Sequence, residues 1–412
     1  MSSTYRDSNT TIERLIAQSP SITEAYDTTT PVFDAYTETI DTWYQNQPLA
    51  YSQIDKLARQ YNTDALGFRI ALKIVESWRI IRSLEAPVTL TLLNPVYKET
   101  GRMQRREEHP HGENSIRYKV KSLRQLERLS ANFEARFVVI DDECPDNSGG
   151  MAQEILREYA EDYDNGKYRV FFLRDAIDDH NPDLPPNLTH KAGSNGSVKG
   201  GALLYGTRKT VNDEVKGLHI LVDNDADLSI HPAQVGILIE DILTGKAQAV
   251  AGSRRELDSA AFVGGSRNKR GKLFIQIWQH LLPQLAQQIV DTNRGFKAFT
   301  AEALQKILDS IQIYTFPYQI ELLVACLYHG ILLNKRGIAY VDSEAASTQQ
   351  GAQLTQTYLN QIMQIVNISQ RYQTIDQNDE LVQFFHTLSE EQWREIEMNP
   401  QRFLSEYLER GC

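Results

Sequence analysis

The chain is poor in cysteine, with only Cys144, Cys326 and Cys412 in 412 residues. An odd, scattered set offers neither a disulfide framework nor zinc-site spacing, and it suits a reducing compartment. Long apolar runs are also missing. Even residues 322–333 are interrupted by His329 and Gly330, short of the ~18 residues that a bilayer span needs. The first residues hold no apolar signal core, so the expected location is the cytoplasm. The Asn-X-Ser/Thr triplets at Asn9, Asn187 and Asn367 then carry no glycosylation meaning. Positive charge is scarce as well. A formal net charge of -11 argues against nucleic acid as a partner, which requires a basic footprint.

What is present is the composition of a globular protein, 41% hydrophobic and 24% charged, long enough for one large domain with additions. The first stretch is polar and has no glycine before Gly67, with Pro20, Pro31 and Pro48 dividing it into short segments. From Leu66 onward Ile70, Ile74, Trp78 and Ile81 recur at helical spacing. Beyond Pro87 the rhythm changes. Short apolar runs at 88–93, 137–140, 169–173, 218–222 and 247–251 alternate with helical patterns such as 116–130 and 151–163, which predicts a β-α-β series with a mainly parallel sheet. Further helices are expected at 272–290, 301–308 and 319–328, and after Ser347 the chain turns Gln-rich and helical. The expected organisation is a helical extension over 1–86, a catalytic domain over 87–347 and a second helical extension over 348–412, the terminal helices being candidates for homo-oligomer contacts. Two polar inserts, 101–114 and 175–197, follow the first and third strands, where lids or acceptor-binding loops form.

The chemistry concentrates at strand ends. His219-Ile220-Leu221-Val222-Asp223 runs into Asn224-Asp225-Ala226-Asp227, placing acids where a parallel strand leaves its sheet and where α/β folds bind ligands. Two carboxylates two residues apart can hold Mg²⁺ or Mn²⁺ against a diphosphate, or one of them can cap the next helix. The first strand ends in Pro95-Val96-Tyr97-Lys98-Glu99 and the second in Asp141-Asp142; a tyrosine can stack on a nucleobase and a carboxylate can accept its N–H. Lys199-Gly200-Gly201 opens a helix with a positive charge beside small residues, without matching the Walker spacing. Gly252-Ser253-Arg254 follows the fifth strand and Arg267 lies in a basic cluster that continues to Lys272. Such cations suit a diphosphate leaving group, or a solvated helix face. Asp291, in Asp291-Thr292-Asn293-Arg294-Gly295-Phe296-Lys297, is a candidate base for an acceptor hydroxyl or a structural turn acid.

Taken in order, these segments resemble family 2-type glycosyltransferases of the GT-A fold over roughly 88–347. The resemblance is to the catalytic domains of dolichyl-phosphate glucosyltransferases and polyprenyl-phosphate glycosyltransferases, here without membrane helices. It implies an α/β, Rossmann-like architecture and a metal-dependent enzyme that moves a hexose, glucose or mannose, from UDP-glucose or GDP-mannose to a hydroxyl or phosphate acceptor. That acceptor would be a small molecule or a lipid phosphate. By the same resemblance Pro95, Tyr97, Glu99, Asp142, Lys199, Asp225, Arg254 and Arg267 line the donor, Asp225 and Asp227 hold Mg²⁺ or Mn²⁺, and Asp291 is catalytic, with inversion at the anomeric carbon. Glu143-Cys144-Pro145 departs from the family's usual Gly-Ser after the acid pair. A soluble, retaining glucosyl-3-phosphoglycerate synthase is the alternative, since such enzymes also combine a Lys-Gly turn, a DxD strand end and a helix resembling Tyr318-Gln319-Ile320-Glu321-Leu322. A sugar nucleotidyltransferase fits less well, because Asn94-Pro95-Val96-Tyr97 stands where its glycine-rich loop would be. A non-catalytic carbohydrate-binding scaffold would leave Asp225, Asp227 and Asp291 without a purpose.

Overall fold

In the computed structural model, residues 3–182, 184, 188–190, 197, 199–263, 268–292, 294–343, 354–399 and 403 are described. Among the described residues nine strands form two sheets: β1 Val88–Val96, β2 Phe133–Asp141, β3 Tyr168–Phe172, β4 Leu218–Asp223, β5 Ala249–Ser253, β6 Ala260–Phe262, β7 Lys297–Thr300, β8 Leu333–Gly337 and β9 Ala339–Val341. Seven of them build the main sheet in the order β3-β2-β1-β4-β7-β5-β8, and β6 pairs with β9 alongside. All neighbours in the main sheet are parallel except β7, which runs against β4 and β5. The expected α/β class, a mainly parallel sheet flanked by helices, is the one observed.

β1 is buried at every position, its polar Thr89, Thr91 and Asn94 included, as a central strand covered on both faces is. Its register explains why Pro95 is tolerated in a central strand. Leu93 O accepts from Asn224 N at 2.8 Å and Val96 O accepts from Asp142 N at 3.0 Å, so alternate residues turn to opposite neighbours. Pairing with β4 stops at Leu93–Asp223. Pro95 therefore faces the β4 side beyond its last pair and withholds no ladder bond.

The helices cover both faces. On one, Ile70, Ile74, Trp78 and Ile81 of the Leu66–Arg82 helix join Leu90, Leu92, Ile220 and Val222 in a single apolar cluster. Ile12, Phe33, Ile40 and Ile54 from the amino-terminal helices belong to that cluster too. Pro31 opens one of those helices behind the Thr30 cap, whose Oγ1 accepts from Phe33 N at 3.3 Å. On the other face Trp278, Leu323 and Cys326 pack with Ile362, Ile365, Phe385 and Trp393 of the carboxyl-terminal helices. The amino-terminal helices thus join the apolar cluster on one face of the sheet and the carboxyl-terminal helices the cluster on the other.

The sequence pattern missed several breaks. The helix expected over 272–290 is split into Asn268–Leu281 and Pro283–Gln288, because Pro283 restricts Leu282 and cannot donate backward. The run expected over 151–163 is likewise two helices, Ser148–Arg157 and Ala160–Asp164. The first insert is partly ordered by a short helix, Thr100–Met103. The second begins as helix, Leu173–Asp178, and buries Leu184 and Leu188.

Candidate active site

Because β1, β2, β4, β5 and β8 run one way and β7 the other, the carboxyl ends of the former and the approach to β7 share one edge. Asp141 pairs with Val96, Asp223 with both Leu93 and Lys297, and Ala251 with Lys297. The strand-end motifs therefore converge there, as binding sites of open α/β sheets do.

Asp225 lies just beyond β4, its side chain 24% exposed. Lys199 Nζ donates to its Oδ1. Burial pushes the carboxyl up, but Lys199, Arg294 and Lys297 together outweigh it and hold the pKa at about 2. A Cβ on Gly295 would stand 2.6 Å from Asp225 Oδ1, so only glycine lets that backbone pass so close. Asp227 Oδ1 accepts from Ser229 N at 3.1 Å, a local turn. Neither acid caps the next helix. His231 does so, its Nδ1 accepting from Ala233 N at 3.2 Å before Pro232.

The loop that carries both acids is held from behind. Fully buried Lys119, on the Ser115–Leu129 helix, donates from Nζ to Asn94 Oδ1 and to the carbonyls of Asp225 and, at 3.1 Å, Ala226. Burial lowers its pKa to about 8, still protonated at neutral pH. Glu113, from the first insert, accepts from Leu228 N at 3.0 Å and from Ser343 Oγ at 2.6 Å. Burial and the charge of Asp227 raise it to about 7.

Asp223 does not reach the ligand side: its oxygens accept from Lys297 N and Gln319 Nε2, each at 2.5 Å, and burial raises its pKa. Lys297 Nζ in turn donates to Gln319 Oε1 at 2.8 Å. Asp142 Oδ2 accepts from Lys199 N at 2.7 Å, tying β2 to a lysine held at a φ of 80°. That is a strained geometry for a side-chain-bearing residue, and the same lysine reaches Asp225 with its Nζ. Asp141 is structural, accepting from Cys144 N at 2.8 Å and Gly149 N at 2.7 Å.

Asp291 is buried and takes three bonds from one arginine: Arg254 N at 2.9 Å and Nε at 2.8 Å to Oδ2, and Nη2 at 2.7 Å to Oδ1. Burial raises its pKa, but those bonds outweigh it and the net shift is downward. A carboxylate so engaged holds a cation in place and is a weak proton acceptor. The guanidinium of Arg254 lies 5.0 Å from the centroid of the Tyr340 ring and that of Arg294 lies 4.9 Å from it.

The remaining predicted residues differ in placement. Pro95 is buried within β1. Tyr97 is half-buried just past it, with Lys98 Nζ 5.7 Å from its ring centroid. Glu99 Oε2 accepts from Arg102 Nη1, and its amide donates to Ser148 Oγ at 2.9 Å. Arg267 lies outside the described residues. Lys119, Glu113 and Gln319 were not anticipated. A lysine on an amphipathic helix and a glutamate in a polar insert give no local signal of burial.

Among the described residues, no group of three or more His, Cys, Asp and Glu side chains comes together as a metal cage, and no helix is long and apolar enough to cross a membrane.

An edge of this kind, on a mainly parallel sheet flanked by helices, is what the motif resemblance to GT-A glycosyltransferases implied. Among curated proteins, the chain is similar to an undecaprenyl-phosphate mannosyltransferase of Micrococcus luteus, 24% identical over 222 residues that span 52% of this chain and 76% of that protein. The relative is thus a glycosyltransferase, the expected enzyme class. Among solved structures, mannosyl-3-phosphoglycerate synthase from Rubrobacter xylanophilus overlaps with a TM-score of 0.46 at 14% identity, covering 73% of this chain and 80% of that one. Glucosyl-3-phosphoglycerate synthase from Mycobacterium tuberculosis, in complex with Mn²⁺, UDP and glucosyl-3-phosphoglycerate, gives 0.43 at 15% identity over 74% and 85%. Both scores are below 0.5, and the fold rests on strand order and register. No protein-family model matches the chain.

Proposed function

We propose that the chain is a divalent-metal-dependent hexosyltransferase of GT-A type, working in the cytoplasm on a nucleotide-sugar donor such as UDP-glucose or GDP-mannose. The observation that carries this is the placement of Asp225 and Asp227 beyond β4, with Lys199, Arg254 and Lys297 brought to the same edge. Two carboxylates with no third protein ligand among the described residues fit Mg²⁺ or Mn²⁺, which take one or two carboxylates and fill the remaining positions with water and substrate phosphates. Asp225 and Asp227 would hold the ion, and it would neutralise charge on a leaving diphosphate. Lys199 supplies a positive charge on Asp225, and Lys119 fixes the loop backbone. Tyr97 is the proposed stacking partner of the base, with Asp142 and Glu99 at the neighbouring strand ends; Pro95 shapes the end of β1, and Arg267 is proposed at the leaving group.

The state of Asp291 bears on the acceptor. A hydroxyl nucleophile needs a general base, whereas a phosphate monoester is already anionic at pH 7. With both oxygens of Asp291 engaged by Arg254, a phosphate-oxygen acceptor suits the site better, and Asp291 acts by positioning Arg254. The curated relative, named for an undecaprenyl phosphate, supports the same choice. Direct attack with inversion is the proposed course.

The test is incubation with UDP-glucose or GDP-mannose, Mn²⁺ or Mg²⁺, and either a polyprenyl phosphate or the matching polyprenol. The expected result is metal-dependent release of UDP or GDP with sugar on the phosphate, and an inverted anomeric centre by NMR. Release from neither donor would overturn the proposal, and equal transfer to the polyprenol would overturn its acceptor.

A further inference from the structure

Arg254 was the arginine expected at the leaving diphosphate, yet its guanidinium is committed to Asp291 by two side-chain bonds of 2.8 and 2.7 Å. Arg294 is differently placed. Its guanidinium stacks on Tyr340 at 4.9 Å and makes no ion pair among the described residues. Its backbone carbonyl accepts from Lys297 Nζ, and the next residue, Gly295, abuts Asp225. Its charge is felt at Asp225, Asp291 and Tyr340 alike. The Tyr340 ring is itself fixed, its hydroxyl donating to Asp342 Oδ1 at 2.5 Å.

From this geometry we infer that Arg294, stacked on Tyr340 beside Asp225, is the residue that binds the diphosphate of the nucleotide donor. The inference rests on the transferase reading above and assigns a residue to its leaving group. A guanidinium held over an aromatic ring has lost part of its rotamer freedom before the ligand arrives. Its N–H groups, without an ion-pair partner among the described residues, form a fork suited to two phosphate oxygens. Arg254, by contrast, has its matching edge filled by Asp291 and serves as scaffold. The two arginines share one ring and divide the work.

The experiment is calorimetric titration of the full chain with UDP and with GDP in the presence of Mn²⁺, using uridine and guanosine as nucleoside controls. Arg294→Gln is expected to weaken the nucleoside diphosphate that the wild type binds by about ten- to a hundredfold, the range for a lost charge-assisted hydrogen bond. Nucleoside binding should be unchanged. Arg294→Lys, which keeps the charge without the fork, should fall about three- to tenfold, and it decides the matter if the glutamine variant does not fold. Tyr340→Leu should show a smaller loss. If the wild type binds neither UDP nor GDP, the transferase reading and this inference fall together. If it binds one and both Arg294 variants match it within twofold, only the assignment of Arg294 is overturned.

Discussion

The two edges of the main sheet are both rich in charge, but they use it differently. At the amino-terminal edge Arg136 pairs with Glu134 at 2.9 Å and with Asp213 at 3.6 Å, Arg169 with Asp213, and Lys167 with Glu127 at 2.6 Å. These pairs are partly exposed and leave each charge beside an opposite one, and Glu134, Arg136 and Lys167 line an open polar cavity of about 380 Å³. At the carboxyl-terminal edge Lys119, Asp223, Asp291 and Lys297 are buried, Asp225 and Lys199 are partly exposed, several pKa values are displaced, and Arg294 makes no ion pair among the described residues. Buried, unevenly paired charge is expensive to maintain, and this is the edge to which the proposed chemistry is assigned.

Breaking the carboxyl-terminal edge should have the largest consequences. Asp225→Asn removes a proposed metal ligand and the partner of Lys199. Metal-dependent nucleotide-sugar turnover should fall more than about a hundredfold, the upper range for second-shell partners, measured as nucleotide release. Asp291→Ala leaves Arg254 buried without its carboxylate. It should cost about 3–5 kcal/mol of stability in denaturant unfolding, and turnover should fall with it.

His219 tests the amino-terminal edge from within. It is buried at 7% exposure beside Thr91 Oγ1, 2.9 Å away, and burial lowers its pKa to about 4. A histidine kept neutral in the folded state binds its proton first when unfolded. Stability is therefore unaffected above the unfolded value of about 6.5 and declines as pH falls from there toward 4, by about 3 kcal/mol in total. His219→Gln should flatten that part of the pH–stability curve, followed by unfolding at pH 7, 6, 5 and 4.

Lys119→Met removes the three bonds that hold Asn94 and the loop of Asp225 and Ala226. It should cost about 2–3 kcal/mol and raise the Mn²⁺ concentration needed for half-maximal turnover. Arg136→Ala, at the opposite edge, should cost no more than about 1 kcal/mol and leave turnover intact.

Much of this contrast is visible in the sequence. Continuous apolar runs ending in Asp141-Asp142 and Asp223-Asn224-Asp225 mark β2, β4 and the working edge, because buried parallel strands carry no alternation to obscure their ends. β7 and β8 escaped notice. The first has four residues, and the second is centred on Asn334-Lys335-Arg336, so neither makes an apolar run. Asp291 was legible as an important acid but not as the partner of Arg254, since nothing local to either residue records a contact between distant segments. Lys119 looks like a solvent-facing lysine until the fold carries its helix across the strand ends. Arg294 stood inside a recognised motif, and only the stacking on Tyr340 distinguishes it from its neighbours.

The central claim, that the carboxyl-terminal edge alone performs sugar transfer, is tested most directly by one assay on three proteins. Release of UDP from UDP-glucose and of GDP from GDP-mannose, with Mn²⁺ and a polyprenyl phosphate, is compared in wild type, Asp225→Asn and Arg136→Ala. The account predicts metal-dependent release by the wild type and by Arg136→Ala, with Asp225→Asn reduced more than about a hundredfold. Equal rates in all three proteins, or loss with Arg136→Ala alone, would contradict it.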